Sequence, residues 1–331
     1  MTAAPASIGA QRNWWAGRTR SAYLFRRTAR LLVSLALLLT ATFFMIHLVP
    51  GDPVRAALGP TAPASLVAER KAALGLDKPL VTQYVDYIRD VLHGDFGTSM
   101  TTGESVTEVI KQRAPATFKL AGIAFLVAMF VAVPLGVLMA ALTRDSRRRG
   151  VELGFTAATG GLAAIPSFLL AVGLVYLFAV TIHIFPVAGR AGFSSYVLPV
   201  AALALAPIAA LSRIVRVEGL RVLEQDYIRT ARGKRLPARI VYVRHALPNT
   251  LTPTLTLAGL LLGGLVAGTV LVENIFAWPG LGTTLVQSVA EKDYPTVQAL
   301  AVVFGTVVLL ANFAVDIALG VIDPRSTILE S

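Results

Sequence analysis

Residues 225–237 read QDYIRTARGKRLP, a polar and arginine-rich stretch that lies between two long apolar runs. In membrane proteins, short loops with an excess of lysine and arginine lie on the cytoplasmic side of the bilayer. The stretch therefore predicts a chain embedded in a membrane, with this loop facing the cytoplasm and exposed to a partner there.

The composition of the whole chain also indicates a membrane protein. Of its 331 residues, 55% are hydrophobic and only 15% are charged, and the mean hydropathy is +0.67. A soluble domain of this length is less apolar and more highly charged. The net charge of +11 does not indicate nucleic-acid binding, because lysine and arginine cluster between apolar runs. Since the chain has no cysteine, disulfides, thiolate metal sites and cysteine nucleophiles are excluded.

Six apolar segments approach the length of roughly 20 residues that a helix needs to cross a bilayer. They are residues 31–49, 120–142, 153–182, 197–212, 250–272 and 297–319. The third is long enough to tilt or to break at Gly160, Gly161 and Pro166. The first is expected to be a retained span and not a cleaved signal peptide, because its lead of 30 residues is long and no small-x-small site follows it.

The distribution of charge predicts the orientation of the spans. Residues 1–30 hold six arginines and no acid, and residues 143–150 hold four arginines, so both segments are expected in the cytoplasm. Residues 50–115 hold seven basic and eight acidic residues, a balance that suits the outer side. We expect a cytoplasmic segment 1–30, a transmembrane domain 31–325 with an outer loop 50–116 and a basic inner loop 213–247, and a cytoplasmic tail 326–331.

Ionisable residues inside the apolar segments are few, which bears on the source of energy. Asp316 is the clearest, and His47 and His183 lie near span ends. An ion-coupled carrier shows deliberately placed intramembrane charges, each of which costs about 2.5–3.5 kcal/mol at the bilayer centre. Asp316 is expected to pair with a basic loop and both histidines to lie at the interface, so the driving energy is expected from another subunit. A stand-alone secondary carrier and an intramembrane protease are the alternatives from other classes.

Several separate motifs occur in a characteristic order along the chain. They are HLVPGDP at 47–53, LGLDKP at 74–79, QY at 83–84, GDFGTS at 94–99, DYIRTAR at 226–232, RHAL at 244–247, ENIFAWPGLG at 273–282, DYP at 293–295 and DPR at 323–325. Together these motifs resemble the membrane-spanning permease subunits of bacterial ATP-binding-cassette importers. The similarity is to the B-type subunit of the oligopeptide, dipeptide and nickel branch, and it runs from about residue 31 to residue 325.

The resemblance implies an architecture and a set of partners. The fold implied is an all-α membrane protein with six transmembrane helices of the type I importer architecture, a large outer loop after the first helix and a cytoplasmic coupling helix. The partners implied are a second, similar permease, two ATPase subunits that use ATP and magnesium, and an external solute-binding protein. The chain itself is expected to be a non-catalytic subunit of the bacterial inner membrane, since it lacks a phosphate-binding glycine-lysine loop. No cofactor or metal is expected in this chain. The cargo implied is di- or oligopeptides, with nickel chelates or glutathione-like solutes as the alternative.

The coupling helix is expected to contact an ATPase through a short polar segment. Thr230 and Ala231 are small enough to enter a groove there, while basic side chains could pair with acids. In the family's pattern a glycine follows the alanine by four residues, but Arg235 stands at that position, so Gly233 is expected to take the left-handed end of the helix. The predicted coupling residues are Asp226, Tyr227, Arg229, Thr230, Ala231, Arg232, Gly233, Lys234 and Arg235.

Three residues are predicted to face the external binding protein. Asp95 and Phe96 belong to the GDFGTS motif, which is expected to form a compact turn with one buried aromatic. Trp278 belongs to the ENIFAWPGLG motif and is expected to anchor at the membrane interface or to cover the outer mouth of the pathway. The glycine and prolines of the motif at 47–53 are expected to stop a helix and turn the chain.

Overall fold

The computed structural model describes residues 9–48, 51–59, 61–144 and 148–322, and the side chains of residues 23 onward among them apart from 252 and 319–322. Pro50, Arg147, the motif at 323–325 and the tail 326–331 lie outside the described residues. The described part is helical, with one isolated antiparallel bridge between Thr98 and Ser105. The expectation of an all-α protein with long apolar helices is confirmed.

Five helices are long and apolar enough to cross a membrane, and one bent pair supplies a sixth span. The five are α1 (Gly9–His47), α5 (Val106–Thr143), α8 (Phe193–Leu223), α11 (Leu247–Ile275) and α13 (Tyr294–Ile322). The pair is α6 (Arg149–Ala164) with α7 (Ser167–Leu174), which continues as a π-helical segment Val175–Thr181. Each corresponds to one of the six apolar segments of the sequence.

The bent pair turns by 97° between its two helices. Ile165 has extended dihedrals, φ −83° and ψ 123°, because the ring of Pro166 disfavours the helical region for the residue before it. The break predicted at Pro166 is therefore present. Gly160 and Gly161 lie inside α6, so they do not contribute a break of their own.

Several helices extend well beyond the apolar segment that predicted them. α5 has 38 residues, about 57 Å at 1.5 Å per residue, whereas the hydrocarbon core is about 30 Å thick. The hydropathy pattern detects only the part within the bilayer, and the helix continues because its polar ends still form backbone hydrogen bonds. α5 therefore begins at Val106, shortly after the GDFGTS motif, and ends at Thr143, at the start of the arginine-rich segment 143–150.

Small residues allow α5 and α8 to pack closely. A Cβ on Gly136 of α5 would lie 2.5 Å from the Cβ of Val215 and 2.7 Å from the carbonyl oxygen of Ser212, both on α8. On the other side of the contact, a Cβ on Gly219 would lie 3.0 Å from the Cβ of Ala140. Contacts of this kind replace the hydrophobic effect inside a bilayer, where lipid is as apolar as the helices.

The loop after α1 folds into a small lobe of three helices, α2 (Pro53–Leu58), α3 (Ala64–Ala73) and α4 (Leu80–Leu92). Val54, Val67 and Met100 form its buried centre. The Asp52 carboxylate caps α2 by accepting hydrogen bonds from the amides of Val54 and Arg55. Lys71 Nζ lies 2.9 Å from this carboxylate, and its hydrogen bond is the main reason why the pKa of Asp52 is below its usual value.

Three short helices complete the chain. α9 (Asp226–Gly233) follows α8 after two residues, and α10 (Ala238–Ile240) continues through a π-helical segment Val241–Ala246 into α11. On the other side of α11, α12 (Leu281–Ala290) precedes α13. The segment expected to contact an ATPase therefore lies directly between the fourth and fifth spans.

Candidate functional site

α9 is attached by its apolar residues to the C-terminal ends of α5 and α8 and to the segment before α11. Ile228 is fully buried and Ala231 is 6% exposed. Both belong to a cluster with Leu223 at the end of α8, Ala140 of α5, and Val241 and Ala246 of the π-helical segment before α11. Because this contact is apolar and buried, α9 cannot shift without disturbing α8 and the entry to α11.

The opposite side of α9 is exposed, and most of its charged groups are basic. Tyr227 is 44% exposed, and partial burial of its ring raises the pKa of its hydroxyl. Arg229 Nη1 lies 3.5 Å from Asp226 Oδ1, a weak contact between two highly exposed side chains. The exposed residues of the predicted set are Asp226, Tyr227, Arg229, Thr230, Gly233, Lys234 and Arg235, and Arg232 is half-buried.

Ala231 does not occupy the position expected from the sequence. It was expected to face a groove on a partner, but its side chain packs against Leu223 and Val241 of its own chain. Ile228 and Ala231 are three residues apart and so share one face of a helix, which turns inward. Thr230, in contrast, is exposed, and its hydroxyl donates to the backbone oxygen of Asp226.

The C-terminal end of α9 also differs from the expectation. Arg235 adopts the left-handed conformation with φ of 54°, whereas Gly233 lies in the last helical turn and is not among the residues with positive φ. The amide of Leu236 donates to the oxygen of Ala231 at 3.4 Å, and the amide of Arg235 donates to the oxygen of Arg232 at 2.8 Å. This pair of bonds is a Schellman motif, so the helix ends at the family's usual position with arginine in place of glycine.

The physical reason for this helix end lies in the two residues that follow it. Leu236 is partly buried against the same apolar cluster that holds Ala231, which supplies the hydrophobic contact typical of a Schellman motif. Pro237 then prevents the helix from continuing and begins α10. Tertiary packing therefore outweighs the local preference for glycine, and Gly233 has no special role in the turn.

Two of the three residues predicted for docking lie on the lobe after α1. Asp95 is exposed, and its Oδ1 accepts a hydrogen bond from the amide of Gly97 at 2.9 Å. Phe96 is half-buried, less than expected, and its amide donates to Thr107 Oγ1 at 3.1 Å. Both line a cavity of about 500 Å³ that is also bordered by His47. Docking of a binding protein at these residues stays a prediction.

Trp278 is not a surface residue, which corrects the expectation of an interfacial anchor. Its side chain is fully buried, and its Nε1 donates to the backbone oxygen of Ala116 at 3.3 Å. The ring of Tyr196 meets it edge to face at a centroid distance of 4.6 Å. Trp278 therefore joins the N-terminal parts of α5 and α8 to the C-terminal end of α11 from inside the protein.

The side chain of Glu273 connects the first and last residues of the same motif, ENIFAWPGLG. It is fully buried at the C-terminal end of α11, and its Oε2 accepts a hydrogen bond from the amide of Gly282, in the first turn of α12, at 2.7 Å. The carboxylate on α11 thus caps the N-terminus of a different helix, α12. Gly282 must lack a side chain, because a Cβ there would lie 2.5 Å from the Cα of Val270. The acid and the two glycines of ENIFAWPGLG were visible in the sequence, but their mutual contact was not.

Asp293 joins two motifs that are almost two hundred residues apart. It is 3% exposed, and its carboxylate accepts from Ser99 Oγ at 2.6 Å, the amide of Met100 at 2.9 Å and Thr296 Oγ1 at 2.6 Å. A fourth contact, from Thr101 Oγ1, measures 3.3 Å. The GDFGTS turn of the lobe after α1 is therefore fixed to the start of α13 by one carboxylate from the DYP motif.

The ionisable residues near the spans have structural partners. Asp316 Oδ2 lies 2.9 Å from Arg27 Nη1, and its backbone oxygen accepts from the hydroxyl of Tyr23. The expected basic partner is therefore on α1. His47 is hydrogen-bonded to Gln83 Oε1 at 3.1 Å, and His183 contacts the oxygen of Thr181. Among the described residues, no group of three or more His, Asp or Glu side chains is placed to hold a metal ion.

Two family models match the chain. The model described as binding-protein-dependent transport system inner membrane component matches residues 132–328. A second model, for the N-terminal part of such membrane components, matches residues 21–121. The first includes α9 and the ENIFAWPGLG motif, and the second includes most of α1 and the lobe that follows it.

Two relatives are similar to the chain over most of their length. The glutathione transport system permease protein GsiC of Salmonella typhimurium is 37% identical over 302 residues, which cover 91% of this chain and 97% of the relative. The probable D,D-dipeptide transport system permease protein DdpB of Escherichia coli is 37% identical over 315 residues, covering 86% and 91%.

The fold is also similar to that of a solved transporter. A chain of the MetNI methionine ABC transporter in an inward-facing conformation aligns with a TM-score of 0.53 and 18% identity. The alignment covers 65% of this chain and 96% of the MetNI chain. At this level of identity the similarity supports the arrangement of helices alone.

Proposed function

The chain belongs to the family of binding-protein-dependent transport system inner membrane components, as a multi-pass permease subunit of an ATP-driven importer, and we propose that its cargo is short peptides. The observation that carries this proposal is the similarity to GsiC and DdpB over nearly their whole length. Their names specify glutathione, which is a tripeptide, and D,D-dipeptides. Peptides of two or three residues are the class that both have in common, and glutathione itself is the second candidate.

We further propose that this chain forms half of a translocation pathway. A second, similar permease would supply the other half, two ATPase subunits would bind ATP and magnesium, and an external binding protein would deliver the cargo. The family's dependence on a binding protein supports the last of these partners. In this assembly the chain performs no chemistry, and ATP hydrolysis takes place on its partners.

The exposed side of α9 is the proposed contact with an ATPase. Its basic groups Arg229, Lys234 and Arg235 suit an acidic groove, and Tyr227 and Thr230 add a contact of moderate size between them. The apolar attachment of Ile228 and Ala231 to α8 makes this surface part of the bundle. A rigid attachment of this kind transmits a movement of the partner, which a flexible loop would not.

The orientation follows from this proposal and from the distribution of charge. Both termini and the loop 213–247 are placed in the cytoplasm, and the lobe after α1 faces the binding protein. Because the sequence has no cysteine, single cysteines at Ser65 and Thr230 provide a clean test with an impermeant thiol reagent. Labelling of both positions from the outer side would exclude this topology.

Transport by the reconstituted complex tests the cargo. Purified permeases, ATPases and binding protein in proteoliposomes should take up a labelled dipeptide or glutathione when ATP is supplied to the ATPase side. Uptake should stop when the ATPase is inactivated and persist when an ionophore removes the proton gradient. Uptake of a nickel chelate in preference to both peptides would refute the proposed cargo, and uptake by this chain alone with a proton gradient would refute the importer mechanism.

A further inference from the structure

Arg216 of α8 connects three spans near the inner ends of the helices. Its side chain is only 11% exposed, and its Nη2 donates to Glu152 Oε1 at 2.6 Å. Its Nε donates to Thr143 Oγ1 at 3.0 Å, and this hydroxyl in turn donates to the backbone oxygen of Met139. One guanidinium therefore joins the last turn of α5, the first turn of α6 and α8.

Two of these helices are joined to α9 by close packing. Gly136 and Gly219 bring α5 and α8 so near that neither position has room for a Cβ without displacement of its neighbour. Ala140 of α5 and Leu223 of α8 also belong to the apolar cluster that holds Ile228 of α9. α5, α8 and α9 are therefore expected to move together.

α6 is attached in a different way. Thr159 is the one buried residue of this helix, and the glycines Gly150, Gly154 and Gly161 have no atom of another element within 4 Å of a built Cβ. The helix lies against α8 with few buried residues. At its inner end, the ion pair between Glu152 and Arg216 is a specific polar contact between α6 and α8.

We propose that Arg216 is a positioning residue, which passes the movement of α9 to the bent span formed by α6 and α7. This inference rests on the proposed contact between α9 and an ATPase. When that contact moves α8, the Arg216 guanidinium carries the first turn of α6 with it through Glu152. The bend at Pro166 lets α6 move while α7 stays packed against α8, where Ala171 is fully buried.

Arginine suits this position for a chemical reason. Its planar group presents several donors in fixed directions, so that it can bind a carboxylate and a hydroxyl at the same time, and it remains charged at all relevant pH values. Glu152 has 37% of its side chain exposed, and a glutamine amide oxygen at this position can still accept a hydrogen bond from the Arg216 guanidinium, so the ion pair is lost while a polar partner remains. Its substitution by glutamine is therefore the mildest way to remove the pair.

The test uses the complete complex with binding protein and ATPases in proteoliposomes. The variants are Glu152→Gln, Arg216→Glu and the exchanged pair Arg216→Glu with Glu152→Arg. Glu218→Gln is the matched control, because it also removes a carboxylate paired with an arginine of α8, in this case Arg221 at 3.0 Å. The measurements are the yield of assembled complex, the rate of ATP hydrolysis and the amount of cargo moved per ATP.

The expected result is a loss of coupling with assembly intact. Glu152→Gln should lower the cargo moved per ATP by about fivefold or more, the lower end of typical coupling factors. Its yield and ATP hydrolysis should stay near those of the unaltered complex. The exchanged pair should recover at least about half of the lost coupling, and Glu218→Gln should show no loss.

Other outcomes would overturn the inference. Arg216 has no positioning role if Glu152→Gln transports like the control, if the exchanged pair recovers nothing, or if yield, hydrolysis and transport all fall in parallel. Two charge reversals on the surface of α9, Arg229→Glu and Lys234→Glu, distinguish a failure of the role of Arg216 from a failure of the proposed function. If those variants bind and stimulate the ATPase normally, the coupling surface itself has been misplaced.

Discussion

Replacement of Arg235 by glycine tests the structure of the coupling helix most directly. Arg235 has φ of 54°, a conformation in which the Cβ of an L-residue approaches the following carbonyl oxygen. Glycine has no Cβ, so Arg235→Gly removes this repulsion while keeping both hydrogen bonds of the Schellman motif. The substitution should therefore stabilise the end of α9.

The size of the effect follows from two opposing contributions. The left-handed conformation costs a residue with a Cβ about 1–2 kcal/mol. Glycine loses about 0.5–1 kcal/mol more backbone entropy than alanine on folding. The difference gives a net stabilisation of about 0.7 kcal/mol, which corresponds to roughly threefold slower opening of the helix end.

Hydrogen exchange of single backbone amides is the assay. The amide of Leu236 is the reporter, because it donates to the oxygen of Ala231 across the helix end. Its exchange should slow about threefold in Arg235→Gly. Arg235→Asn is the control for loss of charge, since asparagine tolerates the left-handed region, and Arg235→Val should accelerate exchange because a β-branched residue resists it.

Gly233→Val distinguishes this structure from the alternative in which glycine forms the helix end. Gly233 has a helical backbone and open space around a built Cβ, so valine should leave exchange at Leu236 unchanged or slower. Faster exchange in Gly233→Val together with no change in Arg235→Gly would refute the assignment of the left-handed position.

Four further predictions concern other parts of the molecule. Ala231→Glu should destabilise the permease by several kcal/mol before any ATPase is added, because it buries a carboxylate in an apolar cluster, and a lower melting temperature of the isolated subunit would show this. Asp293→Ala should leave the hydroxyls of Ser99 and Thr296 without their acceptor, at a cost of about 3 kcal/mol in stability. Limited proteolysis should then cut residues 94–105 more readily. Asp293→Asn should increase this sensitivity to proteolysis less than Asp293→Ala does. Gly282→Ala should destabilise by about 1–3 kcal/mol through overpacking against Val270, while Gly264→Ala, which meets open space, should not lower the melting temperature. The pKa of Asp52 is lower in the folded protein than its unfolded value of 3.8, so the stability it contributes is complete above pH 3.8 and is lost as the pH falls through the folded value. Hydrogen exchange of the Val54 amide should accelerate in that pH range. Asp52→Asn should abolish this dependence of exchange on pH.

Hydropathy and charge were sufficient to predict the spans, because the cost of burying polar groups in lipid constrains every residue of a span. The break at Pro166 was predictable for the same kind of local reason, since proline restricts the residue before it. Helix ends outside the bilayer were not predictable to this degree. In α5, residues 106–119 continue the helix without an apolar signal.

The direction in which side chains of α9 point depended on tertiary packing. Small size suggested that Ala231 enters a partner's groove, yet its spacing from Ile228 was a signal for an inward face that composition alone did not reveal. Glycine preference likewise suggested Gly233 for the helix end, whereas the burial of Leu236 places the turn two residues later. In both cases a contact that is distant in sequence outweighs a local tendency.

Local sequence patterns also failed to predict the contacts of Trp278, Glu273 and Asp293. The enrichment of tryptophan at headgroup depth is an average tendency, and Trp278 instead fills a space between spans where Ala116 supplies an acceptor. An acid at the end of an apolar run resembles a simple span boundary, and the amide that Glu273 caps is nine residues later. No periodic pattern relates Asp293 to Ser99, so their contact required the fold.

The bond between Asp293 and Ser99 has a consequence for biogenesis. A ribosome completes the lobe after α1 long before it reaches residue 293, since 194 positions separate the two partners. During that interval the hydroxyl of Ser99 and the amide of Met100 lack the carboxylate that joins them to α13. The lobe therefore acquires its final anchorage only when Asp293 has been synthesised, and an interrupted translation product would carry a lobe without this anchorage.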